Sequence, residues 1–212
     1  MKLGSFVIKL IAKNGASLPI SHGRLLHAAF LDLVRQKDEV LSERLHDSNV
    51  KGFTMGTLTI PGGQKVGGKM MLREGDSAEW KVTSLDTELT SLLANHGLKG
   101  CVRIGRTVFE ILGLRENGPV NYLPSVIDMS DIPEYALQLS HLGSLTLRFI
   151  TPTSFRYYDL DYPFPKTDFI FGSLAEKWNA FSGDIAFDVE NIKQLAAQYL
   201  IPIHWNGESC RV

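Results

Sequence analysis

The order in which the hydrophobic period changes along the chain constrains its fold more than any single motif does. Residues 4–12 are rich in Val, Ile and Leu and read as a buried strand. Over 22–35 the period lengthens: Leu26, Phe30, Leu33 and Val34 recur at helical spacing, and Pro19 and Ser21 mark the opening. A second short helix is expected over 38–46, with Leu41 and Leu45 one turn apart. Residues 53–60 alternate like a strand until Pro61-Gly62-Gly63 stops them. Beyond a glycine-rich loop, 69–73 and 79–83 read as strand pieces, 86–95 as a helix and 100–114 as one long strand. Strand, helix, strand, strand, helix, strand is the ferredoxin-like unit, an antiparallel sheet of four strands with both helices on one face and the other face free.

A second unit of the same kind begins after a connector at 125–133. A strand over 144–150 leads through a proline-rich loop to a helix over 168–181, followed by a strand over 184–189 and a helix over 191–199. Phe171, Leu174 and Trp178 stand at i, i+3 and i+7 and are expected to form the core stripe of the first of these helices, with Trp178 buried. Too few of the 212 residues remain to close the second sheet. The expectation is an α+β chain of tandem ferredoxin-like (RRM-like) domains, 1–120 and 140–212, the second truncated at its C-terminal end.

Charge and cysteine usage exclude several classes of function. Twenty-two Lys and Arg against 23 Asp and Glu leave a formal net charge of −1, so the chain is no polycation, although a local basic patch remains open. Cys101 and Cys210 have neither metal-ligand spacing nor a disulfide framework, which points to a reduced, cytoplasmic protein. No run approaches the ~20 apolar residues of a membrane span. Lys9 and Lys13 break the first apolar run too early for a signal peptide.

The segment from Gly63 to Lys69 fits a phosphate loop until Met70, where Ser or Thr is needed. A strand follows it, so no helix N-terminus would face the phosphates, and the segment reads as a hairpin loop. The histidines His22, His27, His46, His96, His141 and His204 form no zinc motif, and no metal or other cofactor is expected. No Gly-x-Ser-x-Gly elbow points to serine hydrolysis. Cys101, in an apolar strand, reads as a buried small hydrophobe.

Thr151-Pro152-Thr153-Ser154-Phe155-Arg156, then Pro163-Phe164-Pro165, then Phe171-Gly172-Ser173-Leu174 and Trp178-Asn179 follow one another in fixed order. This run resembles the C-terminal half of the CRISPR repeat-processing endoribonucleases of the RAMP superfamily. The N-terminal region is similar to that family's opening through His22 and the helix after it, Leu45-His46, Lys51 and Phe53-Thr54. The resemblance covers most of the chain and rests on the order and spacing of its pieces. It implies two ferredoxin-like domains and a metal-independent cut of CRISPR repeat RNA (pre-crRNA) that releases guide RNAs. In such a cut the ribose 2′-hydroxyl attacks the adjacent phosphorus, assisted by a general base, a general acid and a cation. The products are a 2′,3′-cyclic phosphate and a 5′-hydroxyl.

Carried over residue by residue, His46 matches the family's helix-end histidine and Lys51 its nearby lysine. The resemblance thus implies His46 as a proton-transfer group and Lys51 as the charge stabiliser. Some members have a tyrosine on the first helix where Phe30 or Leu31 stands here; His27, one turn before Leu31, is the candidate replacement. The family's C-terminal glycine-rich loop has no counterpart after Trp205. RNA phosphates are expected to meet Arg24, Lys65, Lys69, Arg148 and Arg156, and unpaired bases to stack on Tyr157 and Tyr158. Two other functions fit the same fold. One is a non-catalytic RAMP subunit that binds guide RNA among other CRISPR-associated proteins of an interference complex. The other is a protein-interaction scaffold without an RNA role. No membrane partner is expected, and the chain is read as a monomer or homodimer.

Overall fold

The computed structural model describes residues 1–96, 98–116, 125–139, 143–149, 153–157, 159–183, 185–204 and 206, and it divides into two units, Met1–His141 and Leu142–Val212. The first unit begins with β1 (Lys2–Ala12), β2 (Ala16–Pro19), α1 (Gly23–Arg35), α2 (Glu39–Asp47) and β3 (Phe53–Met55). It continues with β4 (Gln64–Val66), β5 (Lys69–Leu72), β6 (Ser77–Ser84), α3 (Thr87–His96), β7 (Gly100–Ile104) and β8 (Thr107–Glu116). β9 (Val126–Asp128), a 3-10 turn (Met129–Asp131) and α4 (Ile132–Leu139) close it.

The main sheet has the antiparallel order β3-β6-β1-β8-β7, with β9 also on β1. Without β7 and β9 this is the ferredoxin-like sheet expected from the sequence. Phe6, Ile8 and Leu10 of β1, Trp80 and Val82 of β6, and Phe109 and Ile111 of β8 form one core. α1 adds Leu26, Phe30, Leu33 and Val34 to it, and α3 adds Leu89 and Leu93. Phe30 meets Trp80 edge-on at 5.9 Å between ring centroids and Phe53 at 5.3 Å. Each fully buried side chain of this size contributes about 1.5–3 kcal/mol through the apolar area it removes from water. α2 is held at its N-terminal end and on its buried face. Asp38 caps it by accepting the Leu41 N–H at 2.9 Å, and the Ser42 hydroxyl donates to the Leu31 carbonyl of α1 at 2.8 Å.

Several elements differ from their sequence reading, each for a local reason. The strand read over 100–114 is a hairpin, because Gly105 takes φ +61°, and Ile104 then pairs with Thr107. The strand over 53–60 stops at Met55. Gly56 still donates to the Lys81 carbonyl at 2.9 Å, and Thr59 rejoins β6 only as an isolated bridge to Glu79. The connector at 125–133 supplies β9, which pairs with Lys2–Gly4 of β1. The glycine-rich loop is a hairpin, as read, with Gly67 and Gly68 at positive φ between β4 and β5. That hairpin joins β2 in a separate sheet of order β2-β5-β4. Cys101 lies exposed on the edge strand β7 and is no core residue.

The second unit contains the hairpin β10 (Phe155–Tyr157) and β11 (Leu160–Tyr162), then α5 (Thr167–Phe181) and α6 (Val189–Tyr199). The expected strands at 144–150 and 184–189 do not form over 144–149 and 185–188; residues 150 and 184, like Thr151, Pro152, Tyr158 and Trp205, lie outside the described part. Asn179 replaces a strand neighbour for 185–188: its side-chain amide donates to the Phe187 carbonyl and accepts the Phe187 N–H, both at 2.8 Å. Trp178 is half-buried and not fully buried as expected. Its indole N–H donates to the Ile185 carbonyl at 2.7 Å, and its ring lies 5.6 Å from Phe187. The stripe of α5 is also displaced, since Gly172 and Ala175 are buried while Leu174 is exposed. No helix among the described residues is long and apolar enough to cross a membrane.

Candidate active site

Three of the residues singled out from the sequence meet where α1, α2 and β3 converge. α1 places His27 half-buried, with its ring stacked on Phe53 at 5.7 Å and 24°. Phe30 and Leu31 are both buried, so His27 is the polar ring that this part of α1 offers to the surface. α2 carries His46 in its last turn; the side chain is 70% exposed, and Nδ1 lies 2.9 Å from Asp47 Oδ1. Lys51, in the loop before β3, folds back onto the end of α2. Its Nζ donates to the Leu45 carbonyl at 3.1 Å and to the His46 carbonyl. A cation is favoured there because the last carbonyls of a helix carry partial negative charge. An ammonium has three N–H donors, so one stays without a protein acceptor among the described residues.

The electrostatics of the cluster follow from this placement. Burial, followed by the nearby positive charges of Lys51 and His46, pushes the His27 imidazole below its ordinary value. His27 is thereby held neutral and proton-accepting at neutral pH. His22, in contrast, is a structural histidine. It is buried, its Nδ1 donates to the Pro19 carbonyl at 2.8 Å, and its Nε2 accepts the Leu58 N–H at 3.1 Å.

The expected RNA-binding residues divide between the units. Arg24 is exposed in the first turn of α1, and Lys65 and Lys69 are exposed on β4 and β5. In the second unit Arg148 is exposed in an irregular segment, and Arg156 on β10 lies 3.8 Å from Asp159 and 3.6 Å from Asp161. Tyr157 is paired through β10 to Leu160, and its side chain lies outside the described part, as does Tyr158. Among the described residues, no three His, Cys, Asp or Glu side chains gather to hold a metal ion. Two features went unread in the sequence: the Phe53 stack beneath His27, and the ion pair from Arg44 on α2 to Asp86 before α3. Phe53 lies two residues after Lys51 and was a readable signal; Arg44 and Asp86 are 42 positions apart and carried none.

Residues 3–104 match the CRISPR Cas6 N-terminal domain family, and residues 147–199 match the CRISPR-associated endoribonuclease Cas6 family. No curated protein matches. Among solved structures, a Cas6 product complex is 21% identical with a TM-score of 0.59, over 92% of this chain and 71% of that one. Thermus thermophilus Cas6 is 19% identical with a TM-score of 0.56, over 92% and 67%. The product of a Cas6-related gene from Pyrococcus furiosus is 13% identical with a TM-score of 0.53, over 88% and 74%. These neighbours are tandem ferredoxin-like folds, which is the fold class of this chain. With both of its parts matched in order, the chain belongs to the Cas6 family of CRISPR-associated endoribonucleases.

Proposed function

We propose that this chain is a metal-independent endoribonuclease that cleaves CRISPR repeat RNA to release guide RNAs. Family membership supports CRISPR RNA processing as the broad activity. The observation that carries the finer reading is the convergence of His27, His46 and Lys51 on one surface. His27, held neutral, removes the proton from the ribose 2′-hydroxyl as that oxygen bonds to phosphorus. His46 delivers a proton from Nε2 to the departing 5′-oxygen, while Asp47 steadies Nδ1. The free N–H of Lys51 meets the charge that grows on the phosphoryl oxygens. The P–O5′ bond breaks, and a 2′,3′-cyclic phosphate and a 5′-hydroxyl remain.

We assign the catalytic groups to a ferredoxin-like domain over 1–120, and a second such domain to 140–212. Arg24, Lys65, Lys69, Arg148, Arg156 and Tyr157 serve as contacts to phosphates and bases, with the RNA attraction coming mainly from the cations. A cytoplasmic monomer or homodimer fits this role. The test is incubation with synthetic CRISPR repeat RNA in EDTA, with the product ends identified. Cleavage leaving cyclic phosphate ends is expected, and cleavage that stops in EDTA and returns with magnesium would overturn the mechanism. His46→Ala should lower the rate about 10²- to 10⁴-fold with RNA affinity little changed. A parent chain that binds repeat RNA with a steep salt dependence and never cuts it would instead be a guide-binding RAMP subunit.

A further inference from the structure

We propose that Arg44 and Asp86 are positioning residues that fix the last turn of α2, and with it His46, against the turn between β6 and α3. The proposal rests on the catalytic reading of His46 given above. His46 is too exposed for side-chain packing to hold it, so its location is that of the last turn of α2, where a helix ordinarily frays. Arg44 stands in that turn, two residues before His46. Its guanidinium reaches Asp86 Oδ2 at 2.7 Å, Asp86 Oδ1 at 3.1 Å and Glu88 Oε2 at 2.8 Å. A two-pronged pair of this kind fixes direction as well as distance.

Asp86 is itself immobilised. Its side chain is 7% exposed, and Oδ1 accepts the Leu89 N–H at 2.9 Å, which caps α3. Its backbone N–H donates to the Ser84 hydroxyl oxygen at 3.1 Å, and its carbonyl accepts from that hydroxyl at 2.9 Å. The same turn also holds the chain beyond Lys51. Leu85 donates to the Gly52 carbonyl at 2.6 Å, and Phe53 pairs with Ser84. Residues 84–86 thus hold the chain on both sides of the loop that carries Lys51, through the Arg44 side chain before it and the Gly52 carbonyl after it. Phe53 belongs to the sheet and Gly52 adjoins it, whatever Arg44 does. Arg44 is therefore the side chain whose loss releases the His46 turn from Asp86 while the sheet, the buried Leu45 and the Lys51 bonds to α2 stay in place.

The experiment compares cleavage of synthetic CRISPR repeat RNA under single-turnover conditions by the parent, Arg44→Ala, Arg44→Lys and Asp38→Ala, each with its Tm measured. Asp38→Ala removes the cap at the opposite end of α2 and weakens the same helix without touching the clamp. Arg44→Ala should lower the cleavage rate constant about 10- to 100-fold, the scale of a ~1 Å misplacement of a reacting group, with the RNA Kd unchanged. Arg44→Lys keeps the charge but loses the fork, and should fall between parent and Arg44→Ala; it keeps the test available if Arg44→Ala fails to fold. Asp38→Ala should cut at close to the parent rate. In a His46→Ala background, Arg44→Ala should change the residual rate by no more than about twofold, because the group it positions is gone. Equal rate losses in Arg44→Ala and Asp38→Ala at matched Tm, or a full Arg44→Ala loss in the His46→Ala background, would overturn the proposal. Parent-level cleavage by His46→Ala would overturn the catalytic reading beneath it.

Discussion

α1 in the first unit and α5 in the second carry apolar residues at the same helical spacing, and their fates differ. Leu26, Phe30, Leu33 and Val34 of α1 are buried against the sheet. α5 buries only Gly172 and Ala175, with Leu174 left 55% exposed. At Gly172 an added Cβ would stand 2.6 Å from Lys193 Cε, so α5 and α6 approach through small residues and an aliphatic stem. A helical period locates a stripe but does not supply its cover. In the first unit a laddered sheet provides that cover. Over 144–149 and 185–188 of the second unit the chain forms no ladder among the described residues.

The largest test of this contrast is a pair of truncations. Phe30→Ala should destabilise the first unit by about 3–5 kcal/mol, because Phe30 is fully enclosed and touches both Trp80 and Phe53. Leu174→Ala should change stability by no more than about 0.5 kcal/mol, the range of a surface substitution. Urea unfolding of the full chain followed by circular dichroism measures both. Comparable losses would show that something covers Leu174 in solution.

A smaller effect separates the ion pairs of the two units. Burial opposes ionisation of Asp86, but the hydrogen bonds from Arg44 and the Leu89 N–H outweigh it and hold the carboxyl below its usual range. A depressed carboxylate contributes stability that is present above its unfolded value of 3.8 and lost as pH falls through the lower folded value. Arg44→Ala should therefore cost about 1–2 kcal/mol near neutrality, and its deficit should shrink below pH 3.8. Lys193 in the second unit faces Glu190 at 2.8 Å and Glu176 at 3.6 Å, both on exposed surface, so Lys193→Ala should track the parent through the same acid range. Tm measured from pH 2 to 6 decides it, and a constant Arg44→Ala deficit would contradict the assignment.

What could be read from the sequence follows the same division. α1, α2, α5 and α6 were legible because a helix is specified by residues a few positions apart. The central sheet was legible as an order of elements; His46 and Lys51 were singled out through the family resemblance, and His27 from its place on the first helix. The hairpin at Gly105 was hidden inside a stretch that reads as one long strand, where a glycine in a strand and a glycine in a turn look alike. β9 exists only through its pairing with residues 2–4, more than a hundred positions earlier, and its own three residues carry no signal of it. The second-unit strands were over-read, because alternation marks a surface that could join a sheet and not the neighbour that completes one.

The smallest expected effect concerns proton transfer and distinguishes the units by charge alone. Burial is the largest cause of the lowered His27 value, with Lys51 and then His46 adding to it. A general base works only when deprotonated, so the acidic limb of kcat/KM should rise with pH through the His27 value. Lys51→Met removes one of the two opposing charges and lets His27 hold its proton to higher pH. The acidic limb should move upward, yet remain below 6.5, because the burial that dominates the shift is untouched. Arg156→Ala removes a cation from the second unit and should leave the limb in place while weakening RNA binding. Single-turnover rates across pH 4 to 8 provide the test, with the position of the limb separated from the overall rate loss that Lys51→Met also brings. An unmoved limb in Lys51→Met would mean that the titrating base is not His27, and an equal shift in Arg156→Ala would mean that the limb reports RNA binding rather than the site beside Phe53.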